Sequence, residues 1–467
     1  MKKLTFTVAL MGITLFSFAQ NDKPQEKKYR RSSLYSLMLP DKDLTGYQKD
    51  IVTATYENQG FPEKYNNFCL SERILNLDSI KQTVVTEEAI AAAKEQTEPA
   101  KSKLGRFAKK GFKFMKDAAA TATSIAGNER TSQKIDNMSI EGALTDDQYV
   151  AKLKQYFDNH HFGGKMVAKW FGGTEEVPAA GTPLNTTLIE EMGINTLNTD
   201  ELEKAKTNVG GKEKLVAAAQ YDLMGRTFIT VNKYSYLSAE EVIAMLTAAT
   251  QAIGVLPGAE LAGAGLAAVV KGYFVKTTTY LFQLDLDKEK INNLVEKYGN
   301  DISGLYTSND VEIKYVGKTW DYAPATLKLT TKDAASDTLI AHATLRATDG
   351  AIAKLQKKYD QFKTLSTLHQ DGDKLYAFVG TKEGCEEGTK FEVLQKAIND
   401  EGMEVFEKVD EVKIQKGELW DNRPGAGTII EGAATDKDDS GANPSLTFSG
   451  LGKSKKLLEG SLLRQVK

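Results

Sequence analysis

Residues 226–234 (RTFITVNKY) and 273–284 (YFVKTTTYLFQL) decide the fold of this chain. Both stretches are rich in β-branched and aromatic residues, which is typical of strands. The residues between them are rich in Ala and Gly and predict a helical hairpin over 240–271, with a turn at Pro257-Gly258. The segment therefore predicts two strands joined by a pair of helices.

Hairpin 240–271 allows two interpretations. Val242 to Ala259 is a run of 18 uncharged residues, close to the length that crosses a bilayer. Pro257 and many small residues weaken its apolar character, and Glu260 ends the run. A hairpin that covers one face of the sheet is the favoured interpretation. A pore-forming or membrane-inserting hairpin is the alternative.

The region before this segment predicts a β-α-β opening. Residues 32–39 are expected to form a strand, residues 44–59 a helix and residues 69–75 a short strand. Together with the central segment, this opening predicts a large mixed α+β domain over residues 32–300.

Residues 84–140 predict a helical basic insertion in this domain. Within it, residues 101–116 are amphipathic, with cations around apolar side chains at helical spacing. Such a helix can lie on an anionic surface, whereas the plainer interpretation is a solvated basic face. The candidate residues for contact with a partner or a membrane are Lys101, Lys103, Arg106, Phe107, Lys109, Lys110 and Phe114.

The remainder of the chain predicts a connector and a second domain. Residues 301–370 are expected to hold a strand pair and a long connecting helix, whose apolar stripe includes Ile352 and Leu355. Residues 371–467 show short strands punctuated by glycines. This spacing predicts a small β-rich domain, either β-barrel-like or a β-sandwich.

Trp420, Asp421 and Arg423 form the candidate surface site of this C-terminal domain. It is the one group of side chains in this domain that we expect together at the surface. The alternative is a strand end at which an Asp–Arg pair fixes a turn.

The N-terminus predicts export. Residues 1–19 have the features of a signal peptide: Lys2 and Lys3, an uncharged apolar stretch, and a small residue, Ala19, at the cleavage site. Residues 20–31 are polar and are expected to form a flexible lead-in. We therefore expect a periplasmic or outer-membrane-associated protein.

The two cysteines, Cys69 and Cys385, lie 316 positions apart. In an exported chain they permit one long-range disulfide. Two separate thiols are the alternative.

Composition and motifs exclude several classes of protein. The chain has 467 residues and a formal net charge of −3, so it lacks the basic excess that binds nucleic acid. No HExxH, GxSxG or CxxC motif occurs. His160 and His161 are adjacent and cannot both face one ion from a regular element. We assign no catalytic, cofactor-binding or metal-binding residue.

Several ordered blocks resemble a family of large exported proteins of Bacteroidetes-type bacteria that has no assigned activity. The blocks are SSLYSLML, MVAKWF, LMGRTFITVNKYSY, YFVKTTTYLFQLD, LRATDGAIAKLQKKYDQF and GELWDNR. This resemblance implies no mechanism. The opening and the later strands are also similar to the periplasmic domain of curli-secretion-type outer-membrane assembly proteins, in architecture only.

These observations predict an exported, non-catalytic binding or assembly protein of the cell envelope. Its partner is expected to be an envelope protein or a membrane surface. One alternative is a hydrolase of envelope glycans with an unidentified Asp/Glu pair. A second alternative is a pore or secretion component that uses hairpin 240–271.

Overall fold

The structure is a computed structural model. It describes residues 32–40, 44, 46–62, 64–77, 146–195, 220–238, 273–325, 336–363, 365–371, 374–398, 404–422, 448–452 and 461–466.

A five-stranded mixed sheet forms the centre of the N-terminal part. Its strands are β1 (Ser32–Pro40), β2 (Tyr65–Asn67), β3 (Thr227–Ser238), β4 (Tyr273–Leu284) and β5 (Ile313–Ala325), in the spatial order β2-β1-β3-β4-β5. β1 runs parallel to both of its neighbours, whereas β3 and β5 run antiparallel to β4. The two strands predicted at 226–234 and 273–284 are confirmed, and they are direct neighbours.

Two predicted elements differ from the observed ones. The second strand of the opening lies at Tyr65–Asn67, while residues 69–75 contribute a single bridge from Ile74 to Met38. In the connector, the first strand of the predicted pair is part of β5, which continues to Ala325 and pairs with β4, while residues 326–335 lie outside the described residues. Alternation of polarity predicts strands, but it does not fix where backbone pairing starts.

Helices cover both faces of the sheet. They are α1 (Gly46–Asn58), α2 (Asp146–Asn159), α3 (Phe162–Trp170), α4 (Thr186–Asn195), α5 (Lys288–Tyr298) and α6 (Ser336–Lys358). The larger core combines Tyr35 and Leu37 of β1 with side chains of α2, α3 and α5. Because β1 is covered on both faces, nearly all of its side chains are buried. The predicted α+β class is therefore confirmed.

The opposite face of the sheet, against α1 and α6, carries two separate apolar clusters. On each of β1, β3 and β4, buried polar side chains lie between a residue of one cluster and a residue of the other. On β1, Ser36 lies between Leu34 and Met38. The buried polar side chains of this band are Ser36, Thr230, Asn232, Thr277 and Thr279. α6 therefore packs over a layer that is polar in its middle.

The C-terminal strands form two sheets. The strands are β6 (Leu365–Thr367), β7 (His369–Asp371), β8 (Lys374–Ala377), β9 (Lys390–Ile398), β10 (Glu404–Lys413), β11 (Ser449–Leu451) and β12 (Leu462–Gln465). Their orders are β10-β9-β12-β6 and β11-β8-β7, and both sheets contribute to one apolar core. The barrel prediction is corrected here, because the described strands do not close into a barrel.

Several predictions lie outside the described residues. They concern the signal peptide 1–19, the lead-in 20–31, the basic insertion 84–140 and hairpin 240–271. The seven candidate contact residues from Lys101 to Phe114 also lie outside the described residues. Among the helices that the structure does describe, none has the length and apolarity needed to cross a membrane.

Candidate functional site

The predicted C-terminal surface site packs against the short 3₁₀ turn Thr381–Glu383. The backbone N–H of Thr381 donates to the carbonyl of Trp420 at 3.0 Å, and the Thr381 hydroxyl donates to the Asp421 carboxylate at 2.6 Å. Asp421 thus contacts the turn through Thr381. Arg423 lies outside the described residues, so the Asp–Arg pair stays a prediction.

Hydrogen bonds around this 3₁₀ turn also fix the carboxylate of Glu383. One of its oxygens, Oε2, accepts from the N–H of Gly380 at 2.7 Å and from the side-chain amide of Asn422 at 2.8 Å. A side chain at Gly380 would overlap the carbonyl of Trp420, so glycine is required at this close approach. Glu383 is therefore held in one position by its hydrogen bonds.

Two lysines lie at the Glu383 turn. Lys64, which precedes β2, places its Nζ 3.6 Å from Oε1 of Glu383. Lys382, on the turn itself, places its Nζ 3.9 Å from Oδ1 of Asp349 on α6. We call the set Lys64, Asp349, Lys382 and Glu383 the junction, because it joins the central sheet, α6 and the C-terminal strands.

Asp349 is the electrostatically perturbed member of the junction. Burial raises the pKa of its carboxyl to about 6; Lys382 opposes this shift, and the charge of Glu383 adds to it. Oδ2 of Asp349 is buried and has no hydrogen-bond partner among the described residues. A buried carboxyl with one unpartnered oxygen is a group that readily holds a proton.

Neither cysteine forms a disulfide. Both thiols are free, so of the two possibilities the structure has separate thiols. Cys385 is buried beside the junction, and burial, followed by the charge of Glu383, raises its pKa to about 12. Such a thiol is almost entirely protonated at neutral pH and is a poor nucleophile.

The adjacent histidines contact different partners. The ring of His160 stacks on Tyr156 at 4.1 Å, and its Nδ1 lies 3.5 Å from the Glu72 carboxylate. The Nδ1 of His161 lies 2.8 Å from the side-chain amide of Asn309. Within the described part of the chain, no group of three or more His, Cys, Asp or Glu side chains is arranged to hold a metal ion.

The sequence alone did not predict an aromatic surface that is centred on β7 and β8 and includes residues next to them. It consists of His369, Tyr376, Phe378 and Phe448, all half-buried. Ring centroids are 4.2 Å apart for Tyr376 and Phe448, and 5.1 Å apart for His369 and Phe378. The signal was present in LYAFVG, where aromatic residues occupy the alternate positions of a strand whose other positions are also apolar.

The aromatic surface lies on the sheet face opposite the core. Leu375, Ala377 and Val379 point into the C-terminal core, so Tyr376 and Phe378 point the other way. Lys64 connects this surface to the junction, because its Nζ donates to the carbonyl of Phe378 at 2.6 Å.

Comparison with known proteins gives no family for this chain: no protein-family model matches it, and no curated protein matches it in sequence.

Proposed function

We propose that this chain is an exported, non-catalytic binding or assembly protein of the cell envelope, and that the aromatic surface contacts its partner. Four half-buried rings on the outer face of a small sheet support this proposal. Aromatic side chains are enriched in protein interfaces, where they bury large areas at low conformational-entropy cost. One face of this sheet already supplies the core, and the rings on the other face are partly exposed.

The ring geometry favours a protein partner. Phe378 meets Tyr376 at 80° and His369 at 83°, so its ring stands edge to face against both, whereas His369 and Tyr376 are stacked at 17°. Such a surface is ridged and suits interdigitating side chains, whereas a sugar ring stacks best on a flat aromatic face. The partner we propose is therefore an envelope protein rather than a glycan or a membrane surface.

The domain arrangement belongs to the same proposal. We infer an α+β body over residues 32–300, a connector over 301–370 and a β-rich domain over 371–467 that presents the aromatic surface. The two C-terminal sheets with one shared core support a sandwich-like domain.

The test is cross-linking in the intact envelope followed by fractionation. We expect the native protein in the envelope fraction, cross-linked to one dominant protein. The double variant Tyr376→Ala/Phe448→Ala is expected to lose most of this adduct. Tyr221→Ala, which removes a half-buried tyrosine of the α+β body, is the matched control and should retain it.

Two results would contradict the proposal. One is recovery of a free periplasmic monomer without any cross-linked protein. The other is an unchanged adduct in the double variant, provided that its thermal unfolding shows a folded protein.

The alternative of a glycan hydrolase has one supporting observation, the carboxyl pair Asp349 and Glu383. Their environments differ, and Asp349 has the raised pKa of a general acid. Against this role, Asp349 Oδ2 is closed to solvent, and Glu383 is engaged by Gly380, Asn422 and Lys64. Release of sugars from envelope glycans by the wild type, lost in Glu383→Gln and Asp349→Asn, would favour the hydrolase.

The second alternative, a pore or secretion component, depends on hairpin 240–271. It predicts ring-shaped oligomers that resist extraction with carbonate. A protein that carbonate extracts completely would contradict it.

A further inference from the structure

The turn 380–385 packs directly on the C-terminal half of α6. At Gly384, a Cβ atom would lie 3.1 Å from Cβ of Ala353 and 3.0 Å from Cε of Lys357, so the turn and the helix are in van der Waals contact. Gly384 has a φ of +71°, which favours glycine at this point of the chain. The C-terminal strands are thus attached to α6 through a tight and specific contact.

Asp349 lies at this contact with an incompletely balanced charge. From the turn, Lys382 approaches to 3.9 Å, which is beyond hydrogen-bond distance, and Glu383 adds a like charge. Glu383 is fixed by hydrogen bonds and cannot turn away from Asp349. An ionised Asp349 therefore has one distant cation and one repulsive neighbour.

The other charged and titratable groups nearby do not neutralise Asp349. On β3, the hydroxyl of Tyr234 hydrogen-bonds to Thr348 at 2.8 Å. On β5, Asp321 is paired with Lys354 of α6 at 3.0 Å. On α6 itself, Nε of Arg346 is buried without a partner among the described residues.

We propose that Asp349 is a proton-operated latch between α6 and the C-terminal strands. Protonation removes the repulsion between Asp349 and Glu383 and the cost of a desolvated charge, so the 380–385 turn is held tightly. Ionisation leaves a desolvated charge at the contact and loosens the turn. This regulation does not depend on which partner the aromatic surface binds.

The direction of the pH effect follows from the two protonation states. The pKa of Asp349 is about 6 in the closed contact and returns toward its ordinary value of 3.8 when the turn opens. The closed contact therefore binds the proton more tightly, and its stability falls as pH rises from about 4 to about 6. Above about pH 6, the stability of the closed contact no longer changes with pH.

Amide hydrogen exchange of the full chain tests the latch. Protection factors of amides 380–385, corrected for the chemical exchange rate, are expected to fall about tenfold between pH 5.0 and pH 7.5. Asp349→Asn should keep high protection at both pH values. Glu386→Gln removes an exposed carboxylate of the same turn and should behave like the wild type.

A second variant distinguishes control by protonation of Asp349 from a purely structural role of this residue. Lys382→Met removes the nearest cation, so the midpoint of the pH dependence should move to higher pH. Protection that is equal at both pH values in the wild type would overturn the proposal. A pH dependence retained in Asp349→Asn, or a midpoint unmoved in Lys382→Met, would do the same.

Discussion

The ammonium group of Lys64 donates to the carbonyl of Phe378 at 2.6 Å, although 314 positions separate the two residues. Lys64 also reaches the hydroxyl of Ser366 at 3.3 Å and the carboxylate of Glu383 at 3.6 Å. One side chain from the edge of the central sheet therefore contacts β6, the end of β8 and the 3₁₀ turn. This contact links the N-terminal part of the chain to the aromatic surface.

Removing the Lys64 ammonium should weaken this link. We expect Lys64→Met to lower the free energy of unfolding by about 1–2 kcal/mol, because the Phe378 carbonyl loses a charged donor. Lys49→Met, at an exposed position of α1, is the control and should change stability by less than about 0.5 kcal/mol. Urea unfolding of both variants gives the comparison, and equal midpoints would contradict the assigned role of Lys64.

The polar band under α6 predicts opposite effects for two threonines of β4. The hydroxyl of Thr279 donates to Asn232 at 2.7 Å, whereas the buried hydroxyl of Thr277 has no partner among the described residues. Thr277→Val should stabilise the protein by about 1 kcal/mol, and Thr279→Val should destabilise it by a similar amount. Thermal or urea unfolding measures both, and a destabilised Thr277→Val would show that this hydroxyl has a partner.

The contact between α3 and the 3₁₀ turn Ile302–Thr307 depends on a glycine. A Cβ atom at Gly164 would overlap the carbonyl of Leu305, which is rigid backbone. Gly164→Ala should therefore cost about 3 kcal/mol in urea unfolding. Gly60→Ala, where no atom lies within 4 Å of the added carbon, should be near neutral. Similar stability of the two variants would contradict the close packing.

The thiols should react at different rates. Cys69 is half-buried, while Cys385 is buried with a pKa of about 12. At pH 7.5 the native protein should be labelled at Cys69 at least about tenfold faster than at Cys385. In denaturant, without reductant, two thiols should be counted. A count of zero would indicate the disulfide that the structure lacks.

The sequence predicted the elements whose pattern is local. β3 and β4 have the β-branched and aromatic composition of strands, and the stripe of Ile352 and Leu355 marked α6. The helix ends at Lys358, yet Phe362 lies in the same cluster as Leu355 because a 3₁₀ turn carries it there. Local periodicity reports which side chains are buried more reliably than where an element stops.

The junction could not be predicted, because its members come from distant parts of the chain. Lys64, Asp349 and Glu383 are ordinary charged residues in the sequence, and only folding brings them together. Trp420 and Asp421 were singled out as a surface site, and the structure shows them holding the turn that positions Glu383. The sequence showed the chemical character of these residues, but it did not show which residues they contact.

Photo-cross-linking from the aromatic surface tests the central proposal most directly. A photo-reactive phenylalanine analogue replaces Tyr376 in the full chain, and the same analogue at Tyr221 is the control. In intact envelopes, we expect one dominant protein adduct from position 376 and none from position 221. Identical adducts from both positions, no adduct from position 376, or an adduct only to lipid or glycan would contradict it.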